Sequence, residues 1–500
     1  MRVVGGLTAR PDSALQAALK RTVAQAVGSA DHFRRRAWVV LRAPLPPGDG
    51  LACFASSKES DRFYWERKGE SHSIVALGCL HAIETSGPDR FLEAGRRAQA
   101  LFERTQVVGS DVPDDVGPLL VGGFAFASPD PSSRDATEAR ASRVWSDFPA
   151  GRLVLPELLI TSRGGQRWCC LTRPVRAGAD VEGEAASLWN RFLTLRAGWG
   201  SGSATAEAHA LGAGDTRVAI PDPGAPTFRA RADRSHADFR GQVKAALSAI
   251  ALGDLEKVVV ARSIELTYEP GFDPVALLDR LRHTHPTCTT FCVARGSSVF
   301  LGSTPEDLVR VRGDRVTTAA VAGSAPRGRS PEEDSQLGRA LCESKKEQAE
   351  HAIVVRGLRE ALAPCCRELE VSEAPRLLRL DGIQHLETPI SGKLRHPNSV
   401  LELIDRIHPS PSVGGAPRRA ACEWLEREEK LDRGWYAAPV GFVDRRGAGE
   451  FVVALRAAQI RPGAARLFAG AGVVEGSEPE AELRETQLKL HALMAPLLEI

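Results

Sequence analysis

No apolar stretch in this 500-residue sequence approaches the roughly 20 residues needed to cross a bilayer, which excludes a helical membrane span as the organising feature. The N-terminus, MRVVGGLTARPDS, lacks the apolar core and cleavage site of a signal peptide, so a cytoplasmic location is expected. Runs of like charge are also missing. The 65 Lys and Arg residues are scattered among 63 Asp and Glu residues, and nothing favours nucleic acid or a membrane surface as partner. An anionic ligand must therefore be met by local charges. No CxxC pair offers a zinc site, and the vicinal pairs Cys169/Cys170 and Cys365/Cys366 are poor partners for ordinary disulfides, so reduced thiols are expected. Cys288 and Cys292, without a cationic or histidine neighbour in sequence, read as core residues. Neither GxGxxG nor GxxxxGK[ST] occurs, and there is no repeat of 20 to 50 residues.

What is present is an ordinary globular composition, 43% hydrophobic and 26% charged, on a chain long enough to bury a large core. Residues 197–227 are rich in Gly, Ala and Pro and lack a sustained period, so they read as a long connection. That divides the chain into residues 1–227, with short apolar runs such as AWVVLRAPL, VGGFAFA and RLVLPELLITS and a helical GPDRFLEAGRRAQALFERT, and residues 228–500. In the second part Ser235 with Asp238 opens a helix that Gly253 ends. The strand EKVVVARSIEL, a helix near 273–283 and the strands TTFCVAR, SVFLGST and DLVRVRG follow. Ser330-Pro331-Glu332-Glu333 predicts the start of one long helix reaching about residue 362. Beyond it come QHLETPISGKL, a helix near 398–407, the strands VGFVD, EFVVALRAAQI and ARLFAGAGVV, and a helix from about 479. Strand clusters interleaved with single helices make this a mixed α/β (α+β) chain.

Two pairs of glutamates stand three residues apart in predicted helices, Glu347/Glu350 and Glu482/Glu485, so each pair projects from one face. A solvated helix face accounts for one such pair; two in a chain with the following features call for a cation between them. Lys257 lies in an apolar strand, where burial disfavours an ammonium and favours a usable base. Glu306 follows a Thr-Pro turn at the end of an apolar strand, a place where side chains are presented to a site. Arg456 is the one charge in EFVVALRAAQI beyond its first residue, and a charge in such a strand is rarely left unpaired. Its guanidinium suits a carboxylate, and Gly470 and Gly472 downstream allow close backbone approach. Together these residues suggest a polyanionic small molecule, oxygen ligands for a hard cation such as Mg²⁺, and an acid/base pair.

The segments KVVVAR, FLGSTPEDL, TTAAVAGSAPRG, SKKEQAEH, QHLETPISG, IHPSPSVGGAP, DRGWYAAPVGF, GEFVVALRAAQI, LFAGAGVVEGSEPEAE and LRETQLK occur in an order that resembles the chorismate-utilising enzymes, and within them the isochorismate synthases. The resemblance covers residues 230–495, and GGFAFASPDP is similar to the more variable N-terminal half. It implies a large two-sheet antiparallel sandwich flanked by helices, with residues 1–227 as scaffold and 228–500 as the chorismate-binding region. It implies Lys257 as the base that activates water and Glu306 as the acid for the departing hydroxyl. Glu350 and Glu485 correspond to Mg²⁺ ligands, with Glu347 and Glu482 beside them. Tyr436, Arg456 and Lys489 correspond to groups around the enolpyruvyl carboxylate, Gly323, Ser324 and Gly470 to backbone donors, and His385 to a histidine near the ring. The implied substrate is chorismate and the implied state a monomer without a glutaminase subunit. Lys257 and Ala322 depart from anthranilate and aminodeoxychorismate synthases. A salicylate synthase, which adds pyruvate elimination, stays open, because Ser412 stands where isochorismate synthases commonly have alanine and Tyr436 also suits the lyases. An inactive binding homologue is the third reading. The pathway served, menaquinone, siderophore or salicylate, is not readable from these residues.

Overall fold

The structure, a computed structural model, describes residues 10–109, 112–127, 144–199 and 228–498. Most of the predicted 197–227 connection and the end of GGFAFASPDP lie outside them; residues 197 and 198 instead close a helix, Val181–Gly198. The described strands form two large sheets, of 13 and 10 strands, antiparallel but for one pairing of Ala37–Pro44 with Thr105–Val108. The predicted mixed, two-sheet antiparallel architecture is what forms.

The two sheets share a core. Strand Ala37–Pro44 shows why: Trp38 and Val40 point into the apolar layer between the sheets, while Val39 and Leu41 point to helices on the outer face. Period-2 alternation with both faces apolar marks a strand buried on both sides. Trp65 of the larger sheet meets Phe442 of the smaller edge-on, with ring centroids 5.7 Å apart. Helices Arg10–Phe33, Val181–Gly198, Pro274–Thr284 and Pro479–Leu498 cover the outer face of the larger sheet through residues such as Leu19, Trp189, Leu277 and Leu490.

Both parts of the chain build both sheets. Thr289–Arg295 pairs with Asp61–Arg67 in the larger sheet, and Pro439–Asp444 pairs with Leu119–Phe124 in the smaller. Two neighbouring chain segments also cross from one sheet to the other at the same level. Ser298–Thr304 lies in the larger sheet and Asp307–Arg312 in the smaller, so Pro305 and Glu306 are the crossing point. Gly449–Val453 lies in the smaller sheet and Ala457–Arg461 in the larger, so Ala454 to Arg456 cross beside them. The crossings are tied together, Ser303 N–H to the Arg456 carbonyl at 3.2 Å and Val453 N–H to the Glu306 carbonyl at 3.1 Å.

Two predicted elements divide. EFVVALRAAQI is not one strand, because Arg456 takes a left-handed φ of +44° and ends the pleat. The long helix predicted from Ser330 to about 362 is two, Pro331–Glu343 and Lys345–Leu362, separated by Ser344 in an extended conformation. Ser344 closes the first and caps the second, its Oγ accepting from Glu347 N–H. The Ser235/Asp238 capping box forms as predicted, and Cys288 and Cys292 are buried core residues.

Candidate active site

Between the sheets, at the level of the two crossings, lies a cleft enclosing about 800 Å³ of empty space, part of it open to solvent. Glu306, Gly323, Ser324, Glu350, His385, Tyr436, Arg456, Gly470, Glu485 and Lys489, all predicted from sequence, line it. Lys257, Glu347 and Glu482 sit behind that wall.

Lys257 opens the strand Lys257–Thr267 and is 1% exposed. Its Nζ lies 2.8 Å from Oε1 of Glu350, on helix Lys345–Leu362. Burial alone would raise the Glu350 pKa, but Lys257 overrides it and holds this carboxylate below its usual range. Glu350 thus stands between Lys257 and the cleft.

The second wall comes from helix Pro479–Leu498. Lys489 Nζ bonds Glu485 Oε1 at 2.6 Å and the Gly470 carbonyl at 2.9 Å. Lys346 bridges the two helices, 2.8 Å from Glu482 Oε1 and 3.2 Å from Glu347 Oε1. Lysines thus accompany both glutamate pairs, Lys257 on Glu350, Lys346 between Glu347 and Glu482, and Lys489 on Glu485. Burial pushes Glu482 up to about 7, aided by Glu485 and opposed by Lys346. Glu482 Oε2 is buried without a hydrogen-bond partner. Burial also raises Glu347.

Glu306 is 5% exposed and pushed up to about 7, chiefly by burial. The Ser412 hydroxyl and the charges of Lys257 and Lys489 act in the opposite sense. The Ser412 hydroxyl donates to Glu306 Oε1, and Ser410 Oγ lies 2.7 Å behind it. Such a carboxyl keeps its proton near neutrality and can give it up there.

On the opposite side Arg456 Nη2 donates to His385 Nε2 at 3.2 Å, so the His385 proton sits on Nδ1, shared with the Gly323 carbonyl and Ser324 Oγ. Burial and Arg456 keep this imidazole well below its ordinary pKa, and hence neutral. Arg456 Nη1 is buried without a partner. An unsatisfied guanidinium nitrogen facing a cleft is a receptor for an anion. Tyr436 stacks on Phe468 with centroids 5.0 Å apart. The Ser324 N–H, expected as a ligand donor, is engaged by Glu347 Oε2 at 3.1 Å, and the Gly323 carbonyl by His385.

For a divalent cation the donor chemistry fits, since four carboxylates on two facing helices supply oxygens and one of those oxygens is buried and poorly satisfied. Their present arrangement is set by lysines: among the described residues no three acidic, His or Cys side chains are grouped as a metal site. One contributor, and the role of a second, escaped the sequence reading, which named Ser412 only as standing where isochorismate synthases commonly have alanine. Lys346, adjacent to the first glutamate pair, was hidden by its ordinary place on a charged helix face. Ser412 is separated from Glu306 by more than a hundred residues, and no periodic signal links them.

The chain is similar to known proteins over nearly its whole length. The family model for chorismate binding enzyme matches residues 22–498. The salicylate biosynthesis isochorismate synthase of Pseudomonas aeruginosa is 34% identical over 486 residues, covering 96% of this chain and 94% of that one. The isochorismate synthase MenF of Bacillus subtilis is 30% identical, covering 97% and 98%. Among solved structures, that of MenF, the menaquinone-specific isochorismate synthase from Escherichia coli, superposes with a TM-score of 0.71 at 27% identity, covering 95% of this chain and all of that one.

Proposed function

The chain belongs to the chorismate-binding enzyme family, and from that premise we propose that it converts chorismate to isochorismate, an isomerisation in which water adds at C2 and the C4 hydroxyl departs. The observation that carries this reading is Glu306, a buried cleft carboxyl whose pKa of about 7 matches the task of protonating a leaving hydroxyl at neutral pH. Arg456, with an unpartnered buried nitrogen, would take a substrate carboxylate, and neutral His385 fixes its orientation. Tyr436 and Lys489 border the same space.

Lys257 is the proposed base for the attacking water. An ammonium has no lone pair, so a cycle that uses Lys257 in this way must first take a proton off it, a loss that the ion pair with Glu350 opposes. Glu350 and Glu485 are the proposed direct ligands of Mg²⁺, with Glu347 and Glu482 outside them. When bound, Mg²⁺ would supply positive charge for the substrate's ring carboxylate and for the glutamates themselves.

The test is incubation with chorismate and Mg²⁺ followed by chromatography of products. Isochorismate alone is expected; salicylate plus pyruvate would make the protein a salicylate synthase, and no turnover a binding homologue. Lys257→Ala and Glu306→Gln are each expected to lower turnover by about 10²- to 10⁴-fold, the usual worth of a general acid or base, with circular dichroism unchanged. Near-normal turnover in either would overturn the assigned role.

A further inference from the structure

Glu306 is not held by its own element. Its carboxyl projects from the crossing between two strands, where its backbone N–H bonds the Thr304 hydroxyl at 3.2 Å and its backbone carbonyl takes Val453 N–H. Those contacts fix the backbone and leave the side-chain torsions free. What fixes the carboxyl is the loop before Gly415. Ser410 and Ser412 bring two hydroxyls to 2.7 Å from one another, and Ser412 donates onward to Glu306 Oε1. The loop is itself rigid: Val413 and Gly414 N–H groups bond the Ser410 carbonyl, and the Val413 carbonyl accepts from Arg433 at 2.8 Å. Arg433 is in turn clamped by Glu429 and bonded to the Val259 carbonyl.

The direction of this chain matters. With Ser412 donating to Oε1, a proton on Glu306 belongs to Oε2, the oxygen not engaged by the loop. Ser410 is 2% exposed, so the pair of hydroxyls leads from Glu306 into the interior and ends there. They orient an acid; they do not relay its proton.

Building on the proposed isomerisation, we propose that Ser412, backed by Ser410, is a positioning residue for Glu306, holding Oε1 so that the acidic proton on Oε2 is presented to the substrate. A donor to Oε1 also favours the carboxylate, a bias against the burial that favours the acid. The other groups acting on Glu306 are Lys257 and Lys489, which favour its ionised form, Asp307, which opposes it, and the phenol of Tyr436. A change at Ser412 leaves all four in place.

The experiment compares the wild type with Ser412→Ala and Ser412→Thr by two readouts. One is the pH profile of isochorismate formation. The other is an infrared titration of the substrate-free protein, following the carboxylic-acid C=O band assigned to Glu306 by its disappearance in Glu306→Gln. In Ser412→Ala the infrared midpoint and the alkaline limb of the profile are both expected to move up by roughly one pH unit, the effect of losing one hydrogen bond to a carboxylate. The rate at the optimum should fall roughly ten- to a hundredfold as the acid loses its orientation. Ser412→Thr, which keeps the hydroxyl, should return the midpoint to that of the wild type. An unmoved infrared midpoint in Ser412→Ala, or a threonine variant indistinguishable from alanine, overturns the proposal. If the midpoint moves but the wild type forms no isochorismate, the reaction assignment fails while the Ser412 contact stands; if isochorismate forms and the midpoint stays, the reverse holds.

Discussion

At Gly472 a missing Cβ decides whether Lys257 and Glu350 can meet. A methyl group there would lie 2.2 Å from Glu350 Oε1 and 3.1 Å from Lys257 Cε, well inside contact distance. Gly472→Ala must therefore push the Glu350 carboxylate off the lysine, and turnover is expected to fall at least roughly a hundredfold. A melting temperature within a few degrees of wild type would assign that loss to the site. Glu306 offers a test with a sign. It holds its proton more tightly folded than unfolded, so between about pH 4.3, a free glutamate's value, and about 7 the folded state binds more protons. Stability then falls as pH rises through that window, and above it the full cost, roughly 4 kcal/mol, is present. Glu306→Gln removes the ionisation, so thermal melts at pH 8.5 should show it more stable than wild type, and melts near pH 4 should show no such advantage. The position of Glu306 was legible, because a carboxylate after a Thr-Pro turn at a strand end is conspicuous. Its environment was not, since the burial and the Ser412 donor are supplied by elements far away in sequence.

Two of the elements that carry the site are interrupted where the sequence reads as regular. Ser344 splits what the capping signals at Ser330 predict as a single helix, and the second helix then starts with Lys346 and Glu347 in its first turn. That places Lys346 within reach of Glu482 on the opposing helix. Ser344→Ala removes the cap on Glu347 N–H and is expected to cost about 1 kcal/mol. It should also loosen the bridge between helices, visible as faster amide exchange over residues 345–350. Exchange unchanged there would mean that the Lys346 ion pairs alone hold the turn. EFVVALRAAQI follows the same logic. Its eleven residues read as one strand because alternation and apolarity persist across it, yet Arg456 adopts a left-handed backbone and the two ends join different sheets. Local pattern reports that a segment is extended; which sheet receives it depends on partners such as Phe451's neighbour Val309 and Ala458's neighbour Leu301. Arg456 was singled out for the right reason, an otherwise apolar context, in an element drawn too long.

Over the whole molecule, the two parts separated by the 197–227 segment in sequence are not separable in the sheets. Thr289–Arg295 is flanked by Ser298–Thr304 on one side and Asp61–Arg67 on the other, and Leu119–Phe124 lies between Pro439–Asp444 and Gly151–Leu155. Without residues 10–199 the first of these strands and Pro439–Asp444 become open edges, and Trp65 is withdrawn from its edge-on contact with Phe442. An exposed, apolar, unpaired edge is a template for aggregation. Arg433 also loses the Phe126 ring that lies 4.2 Å from its guanidinium, and with it part of the support for the Ser412 loop. A fragment of residues 228–500 expressed alone should therefore be insoluble, or soluble without near-ultraviolet circular dichroism, even though it contains every residue assigned to the chemistry. Co-expression with residues 1–199 should recover both solubility and turnover, since the missing strands can pair in trans. A fragment 228–500 that is monomeric, cooperative in melting and fully active would mean that the sheet edges it exposes are tolerated, and that the first 227 residues are an accessory rather than part of the fold that holds the cleft.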